Sequence, residues 1–164
     1  MSATPEFIIT RRFEAPVSRV FEAWADVDQM ARWSGPKGSR TVVLSGEVAE
    51  GSTLFARGEV DSNAYAHTLT RYIEIEQDRR IVWEQSFADY QGNITEPEFA
   101  PGWPVTLRTT VDFEPVDGAT QVTLHWQPVG ATPEQEAMFA DNLASMNGGW
   151  SGSFDKLDEV LAEG

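Results

Sequence analysis

Hydrophobic and polar residues alternate with a period of two in seven segments of this 164-residue chain. Such alternation is typical of β-strands with one buried face. The predicted strands are residues 6–14, 40–45, 52–60, 65–76, 79–88, 105–114 and 120–127. Turn-forming residues at 50–51, 77–78 and 117–118 lie between consecutive strands and favour hairpins. The pattern therefore predicts an antiparallel sheet of about seven strands.

Two short helices are predicted between the first and second strands. Pro16 suits the first position of a helix, N1, and is followed by hydrophobic residues at helical spacing up to Trp24. Asp26 suits the N-cap of a second helix over residues 27–33. Residues 34–39 contain two glycines and a proline, which predict a loop.

From Pro133 onward the hydrophobic period becomes helical and predicts a long C-terminal helix. Its apolar stripe consists of Phe139, Leu143, Met146, Trp150, Phe154, Leu157 and Leu161. Glycines at 148, 149 and 152 interrupt this segment at a cost of ~1 kcal/mol each relative to alanine. They could divide it into two helices, but the stripe keeps its phase across them, which favours one continuous helix. Such glycines allow close backbone approach or leave empty volume, and beside a curved sheet that volume would be a cavity.

The order of one strand, two short helices, six strands and a long helix is the helix-grip arrangement. Several ordered segments resemble the SRPBCC (START-like) proteins of the heat-shock-protein-90 ATPase activator type. These segments are residues 13–16, 20–24, 31–36, 72–75, 79–83, 109–115, 118–124, 149–150 and 157–161. The resemblance implies an α+β fold whose curved sheet wraps around the C-terminal helix, with a deep cavity between them. We expect residues 1–164 to form a single domain of this kind.

The resemblance says little about activity. Related proteins bind lipids, hormones or polyketides, some cyclise or aromatise polyketides, and eukaryotic relatives stimulate a chaperone's ATPase. The chaperone-activating relatives carry a separate N-terminal domain, whereas this chain begins at the helix-grip strand. The leading hypothesis is therefore binding of a small hydrophobic or amphipathic ligand. A polyketide cyclase or aromatase is the alternative, and chaperone ATPase activation ranks third.

Charge and composition exclude several partners. The chain carries 26 acidic and 12 basic residues, a net charge of −14, and residues 109–164 hold only one base, Lys156. This acidity repels phosphate backbones and anionic lipids, so we expect neither nucleic acid nor a membrane as partner. It indicates solubility, or adaptation to high salt. No signal-like start or membrane-length apolar run is present, so a cytoplasmic location is expected.

Motifs for catalysis or cofactor binding are absent from the sequence. There is no phosphate loop, dinucleotide fingerprint, zinc-protease motif or nucleophile elbow. The absence of cysteine excludes thiol nucleophiles and thiolate metal sites. The two histidines, His67 and His125, lie on different predicted strands, which does not favour a metal site. We expect no metal and no cofactor, and we lean towards a protein that is not an enzyme.

Large apolar residues, mostly tryptophans, are the first candidates for lining a cavity, because small-molecule sites are mostly apolar with a few polar groups. The candidates are Trp83, Trp103, Trp126, Met146 and Trp150. Plain core packing is the alternative for each of them.

Polar candidates lie on two neighbouring predicted strands. His67 shares its alternation with Leu69 and Ile75, so it is expected to face inward, as a ligand contact or as a core histidine with a satisfied hydrogen bond. Arg57 could bind a ligand carboxylate or form an exposed cross-strand ion pair. For an enzyme, the candidate proton-transfer groups are His67, Tyr65, Arg57 and Glu59.

Residues 89–104 form a connection longer than a hairpin needs, and it contains Phe99 and Trp103. A lid over the cavity, a homodimer contact and a mobile linker are the alternatives. Its acids, Glu96 and Glu98 among them, would disfavour an anionic ligand at the entrance.

Overall fold

A computed structural model describes residues 4–97 and 100–163, without the side chain of Tyr65. Glu98, Phe99 and the Tyr65 side chain, which figure in the expectations above, lie outside the described residues.

The strands form one curved, unclosed antiparallel sheet, as predicted. They are β1 (Phe7–Phe13), β2 (Arg40–Gly46), β3 (Thr53–Val60), β4 (Asn63–Glu76), β5 (Arg80–Ala88), β6 (Thr106–Val116) and β7 (Ala119–Pro128). Their spatial order is β1-β7-β6-β5-β4-β3-β2, so the first strand pairs with the last and forms one edge of the sheet, and β2 forms the other. All six pairs of neighbouring strands are antiparallel. From β2 to β7, each strand pairs with the next one in the sequence.

The tightest hairpin turns occur where the chain adopts positive φ. Asp117 and Gly118 have φ of 51° and 81°, which matches the mirror-image turn that suits the twist of paired strands. The β3–β4 hairpin uses Asp61 and Ser62, with φ of 53° and 66°, a turn that the sequence pattern did not identify.

Two helices, α1 (Val17–Ala25) and α2 (Val27–Trp33), connect β1 to β2 as predicted. Pro16 is the N-cap of α1, with ψ of 153°, so its expected placement at N1 is wrong by one residue. Asp26 caps α2 as predicted: one carboxylate oxygen accepts hydrogen bonds from the backbone N–H groups of Asp28 (3.0 Å) and Gln29 (3.2 Å).

The C-terminal helical segment is divided, but not at its glycines. Helix α3 (Pro133–Asp141) ends at Asn142, whose φ of −116° and ψ of 21° are not helical, and α4 (Leu143–Ala162) runs unbroken through all three glycines. The expected continuity across the glycines is confirmed. The expected single helix from Pro133 is wrong, because the chain turns at Asn142.

A β-bulge in β4 reverses the alternation that the sequence analysis assumed. The register shifts between Tyr72 and Glu74, so that Ile73 is an extra residue and is partly exposed. Ile75 packs against the core, whereas residues of the same parity before the bulge, such as Leu69, are on the other face of the sheet.

Helices α1 and α4 pack on the concave face of the sheet. Phe154 of α4 meets Phe13 of β1 edge-on, with ring centroids 5.4 Å apart, and Phe21 of α1 meets Phe113 of β6 at 5.3 Å. These contacts form the hydrophobic core near one end of α4. Within residues 4–97 and 100–163, no helix is both long and apolar enough to cross a membrane.

Candidate ligand-binding cavity

A cavity of about 610 Å³ lies between the concave face of the sheet and the helices. Its walls include all six tryptophans of the chain, together with residues from β2 to β7, the two short helices, α3 and α4. These tryptophans are Trp24, Trp33, Trp83, Trp103, Trp126 and Trp150. A volume of this size is in the range that encloses small organic molecules.

Small side chains on β3 and β4 leave the space open. Ala56 and Gly58 of β3 face the cavity opposite Thr68 and Ala66 of β4. Because alternate residues of a strand share a face, these four positions form one patch on the concave side. No side chain in this patch is large enough to fill the distance to α4, so the sheet and helix do not meet here.

One row of residues across four strands forms the floor of the cavity. Tyr72 of β4 pairs with Trp83 of β5, Trp83 with Thr109 of β6, and Thr109 with Trp126 of β7. All four line the cavity. Trp24 of α1 covers this row from above, with its ring centroid 6.0 Å from that of Trp83.

Helix α4 supplies the opposite wall through Met146, Gly149 and Trp150. The Trp150 ring meets that of Trp126 edge-on, with centroids 5.8 Å apart and planes at 88°. A Cβ atom built on Gly149 would have no heavy atom within 4 Å. The glycine therefore faces empty cavity space, one of the two outcomes expected for glycines in this helix.

Further along α4, three residues fix the loop at 34–39, part of which also lines the cavity. A Cβ atom on Gly152 would lie 3.1 Å from Cβ of Lys37, so this glycine allows the loop to approach the helix closely. Ser153 donates to the carbonyl of Gly35. Lys156 donates to three loop carbonyls at 3.1–3.2 Å, and burial lowers the pKa of its ammonium group.

The segment at 89–104 contributes Ala100 and Trp103 to the cavity wall. Trp103 packs on Phe139 of α3, with centroids 5.8 Å apart, and Glu96 accepts a hydrogen bond from the backbone N–H of Gly102. These contacts lay this end of the segment over the cavity. Its opening and closing, and a role in a dimer, stay predictions.

The cavity wall carries almost no charge. Among the described residues, Arg57 is the one charged residue that lines it. The guanidinium of Arg57 lies 2.5 Å from the carboxylate of Glu59, which also contacts Arg40 at 3.3 Å. The hydrogen bond from Arg57, helped by Arg40, holds the pKa of Glu59 below its usual value. Arg57 therefore forms an ion pair, but with a buried residue of its own strand rather than the exposed cross-strand pair that was expected.

Uncharged polar side chains also line the wall, and some of their groups have no hydrogen-bond partner. The Gln85 amide donates to the Thr70 hydroxyl at 3.3 Å. Trp24 Nε1 and Thr109 Oγ1 are enclosed and have no hydrogen-bond partner. No described residue donates to or accepts from the Tyr72 hydroxyl, and burial of the residue raises its pKa.

The seven residues predicted to bind a ligand do not all reach the cavity. Six of them line it, namely Arg57, Trp83, Trp103, Trp126, Met146 and Trp150. The expectation that His67 faces inward is wrong. His67 stacks on Phe55 with ring centroids 5.8 Å apart, in a separate small pocket beside Pro97. The bulge at Ile73 is the reason, because it separates the parity of His67 from that of Ile75.

Within the described part of the chain, the residues proposed for proton transfer do not meet in the cavity. His67 points away from the cavity, and Arg57 and Glu59 hold each other in an ion pair. The side chain of Tyr65 lies outside the described part. In that part, no three residues among His, Cys, Asp and Glu are close enough to hold a metal ion.

Several residues that line the cavity were not predicted from the sequence as site residues. Trp24, Trp33, Tyr72 and Thr109 all line the cavity. A sequence signal was available in the small residues at alternate positions of β3 and β4, which indicate a strand face that cannot fill the space before it.

The chain matches the family described as Activator of Hsp90 ATPase homolog 1-like protein over residues 14–162. No match was found among curated proteins.

Solved structures share the fold. A protein from Arthrobacter aurescens is 24% identical, with a TM-score of 0.76, over 97% of this chain and 87% of that one. A protein from Mycobacterium smegmatis is 23% identical, with a TM-score of 0.74, over 96% and 91% of the two chains. The AHSA1 protein from Silicibacter pomeroyi is 14% identical, with a TM-score of 0.73, over 96% and 98%.

Proposed function

The chain belongs to the Activator of Hsp90 ATPase homolog 1-like family, and from that premise we propose that it binds a small, neutral, hydrophobic or amphipathic molecule in the cavity. One observation carries the proposal: all six tryptophans line one cavity of about 610 Å³. Tryptophan has a large apolar surface, and a protein that needed these residues only for stability would pack them against one another without leaving the space.

The electrostatics of the wall support a neutral ligand. A carboxylate or ammonium group would lose its water inside the cavity and would need an opposite charge to compensate. Arg57 already has Glu59 as its partner. A neutral molecule carries no such cost, and its apolar surface gains about 25 cal/mol for each Å² removed from water.

Binding can be tested with N-phenyl-1-naphthylamine, a neutral probe whose fluorescence rises in apolar surroundings. Gly149→Phe would place a ring in the cavity, because no atom lies within 4 Å of the Cβ position. Gly148→Phe is the matched control, since Gly148 is exposed and does not line the cavity.

We expect the unmodified protein and Gly148→Phe to bind the probe with similar affinity. Gly149→Phe should bind it at least about tenfold more weakly, because the ring occupies the space that the probe needs. Equal binding by both variants would place the probe elsewhere and contradict the proposal, as would the absence of binding to the unmodified protein.

A further inference from the structure

The floor of the cavity contains a tyrosine whose hydroxyl has no hydrogen-bond partner in the described part of the chain. Tyr72 is 5% exposed and lines the cavity, and no described residue accepts from or donates to its hydroxyl. Its ring is held in place: Trp83 lies beside it with centroids 6.0 Å apart, and the Tyr72 backbone bonds to Ser52 and Gly51. Because Tyr72 lines the cavity, a molecule bound there can supply the hydrogen-bond partner that the protein does not.

Two more unpartnered polar groups belong to the same part of the cavity. Thr109 pairs with Trp83 across the β5–β6 ladder, just as Tyr72 pairs with Trp83 across β4–β5. Trp24, which covers Trp83, has its indole N–H enclosed without an acceptor. Two enclosed groups without a partner, on Trp24 and Thr109, thus lie beside the same tryptophan as the Tyr72 hydroxyl.

The hydrogen-bonding capacity of these groups indicates which kind of partner would satisfy them. An indole N–H can only donate a hydrogen bond. The Tyr72 phenol keeps its proton at neutral and moderately alkaline pH, because burial raises its pKa, so it too can donate. The described part of the wall holds no free cation to balance an anionic acceptor, since Arg57 is paired with Glu59. The missing partner is therefore an acceptor without charge.

We infer that the ligand of this cavity carries a neutral acceptor oxygen, a carbonyl or an ether, which accepts a hydrogen bond from the Tyr72 hydroxyl at the Trp83 end of the cavity. The remainder of the ligand lies along the aromatic wall formed by Trp126 and Trp150. This inference rests on the proposed function and adds the polar group that orients the molecule.

Two probes that differ in a single group test the inference by calorimetric titration. Naphthalene is wholly apolar, and 2-acetonaphthone adds one neutral carbonyl to the same rings. Tyr72→Phe removes the hydroxyl and keeps the ring. The matched control is Tyr90→Phe, because Tyr90 is 74% exposed and does not line this cavity.

We expect Tyr72→Phe to weaken binding of 2-acetonaphthone by about three- to tenfold, the effect of one net hydrogen bond, and to leave binding of naphthalene unchanged. Tyr90→Phe should change neither affinity. Unchanged ketone affinity in Tyr72→Phe would overturn the inference, and so would an equal loss for both probes, since that would indicate a general change of cavity shape.

A third probe, 2-naphthoate, tests the requirement for neutrality. It should bind the unmodified protein more weakly than the ketone does, and equal or tighter binding would contradict a neutral acceptor. The failures of the two proposals are distinguishable. If neither naphthalene nor the ketone binds the unmodified protein, the proposed function itself is wrong and the inference falls with it.

Discussion

Three glycines in one helix meet three different surroundings. Gly148 is exposed, Gly149 faces the cavity, and Gly152 lies against the loop at Lys37. A glycine in a helix lowers the stability of the protein because it loses more backbone freedom on folding than other residues do. This cost is similar at all three positions. The three positions differ in whether the methyl group of an alanine would have space there.

These surroundings predict three different effects of alanine on stability. Gly148→Ala and Gly149→Ala should each raise the free energy of unfolding by about 0.5–1 kcal/mol, because nothing lies within 4 Å of either Cβ position. Gly152→Ala should gain less, since its methyl group would lie 3.1 Å from Lys37 Cβ and 3.3 Å from Lys37 N. Urea unfolding of the three variants measures the difference. A gain at Gly152 equal to that at Gly148 would show that the loop does not press on the helix.

The sequence led part of the way to these residues. The unbroken apolar stripe of α4 predicted that the glycines lie inside a helix, and therefore that they leave empty volume or allow close approach. It could not assign the two roles. That assignment depends on where the loop at 34–39 meets α4, through Ser153 and Lys156, and such a long-range contact has no local sequence signal.

At the scale of elements, one carboxylate joins three strands on the face of the sheet that points away from the cavity. Glu84 of β5 accepts from Arg71 of β4 at 2.9 Å and from Arg108 of β6 at 2.6 Å. Burial alone would raise the pKa of Glu84, but the hydrogen bonds from Arg108 and Arg71 together outweigh it and hold that pKa below its usual value. The folded protein therefore favours the charged carboxylate.

This bridge predicts a stability difference that depends on pH. A carboxyl whose pKa is lower in the folded than in the unfolded chain stabilises above about pH 4.3, its unfolded pKa, and loses that effect as pH falls through the folded pKa. Glu84→Gln should lower the free energy of unfolding by about 1 kcal/mol at pH 7, and by clearly less at pH 3.

Urea unfolding at the two pH values measures the effect of Glu84→Gln. Glu76→Gln is the control, because Glu76 forms its ion pair with the exposed Arg79, at 3.3 Å, so its loss should matter little. A deficit in Glu84→Gln that is as large at pH 3 as at pH 7 would contradict the charge-based account.

The helices and strands could be predicted from the sequence, whereas the bulge within β4 and the turn between α3 and α4 could not. All seven strands and both short helices follow from alternation and helical spacing, because each buries one face. The bulge at Ile73 inserts one residue without any glycine or proline to mark it, and it moves His67 to the other face. The turn at Asn142 is stabilised by its own side chain, whose amide donates to the Met138 carbonyl at 2.7 Å.

At the scale of the whole molecule, charge and cavity are separate features. The net charge of −14 resides on residues other than those that line the cavity, apart from Arg57 with its partner Glu59. We therefore expect the acidity to affect solubility and to disfavour anionic partners, and to have little effect on a molecule bound in the cavity. The tryptophans, by contrast, are concentrated inside, since all six line this cavity.

The most direct test of this account uses those tryptophans as reporters. In the ¹⁵N-labelled protein, each of the six indole N–H groups gives its own signal in a nitrogen–proton correlation spectrum. Adding naphthalene should shift most of these six signals together and saturably, because all six rings line the same cavity. Backbone signals of Arg71 and Glu84, on the far face of the sheet, should stay in place. Indole signals that do not move when the solution is saturated with naphthalene would contradict a ligand-binding cavity.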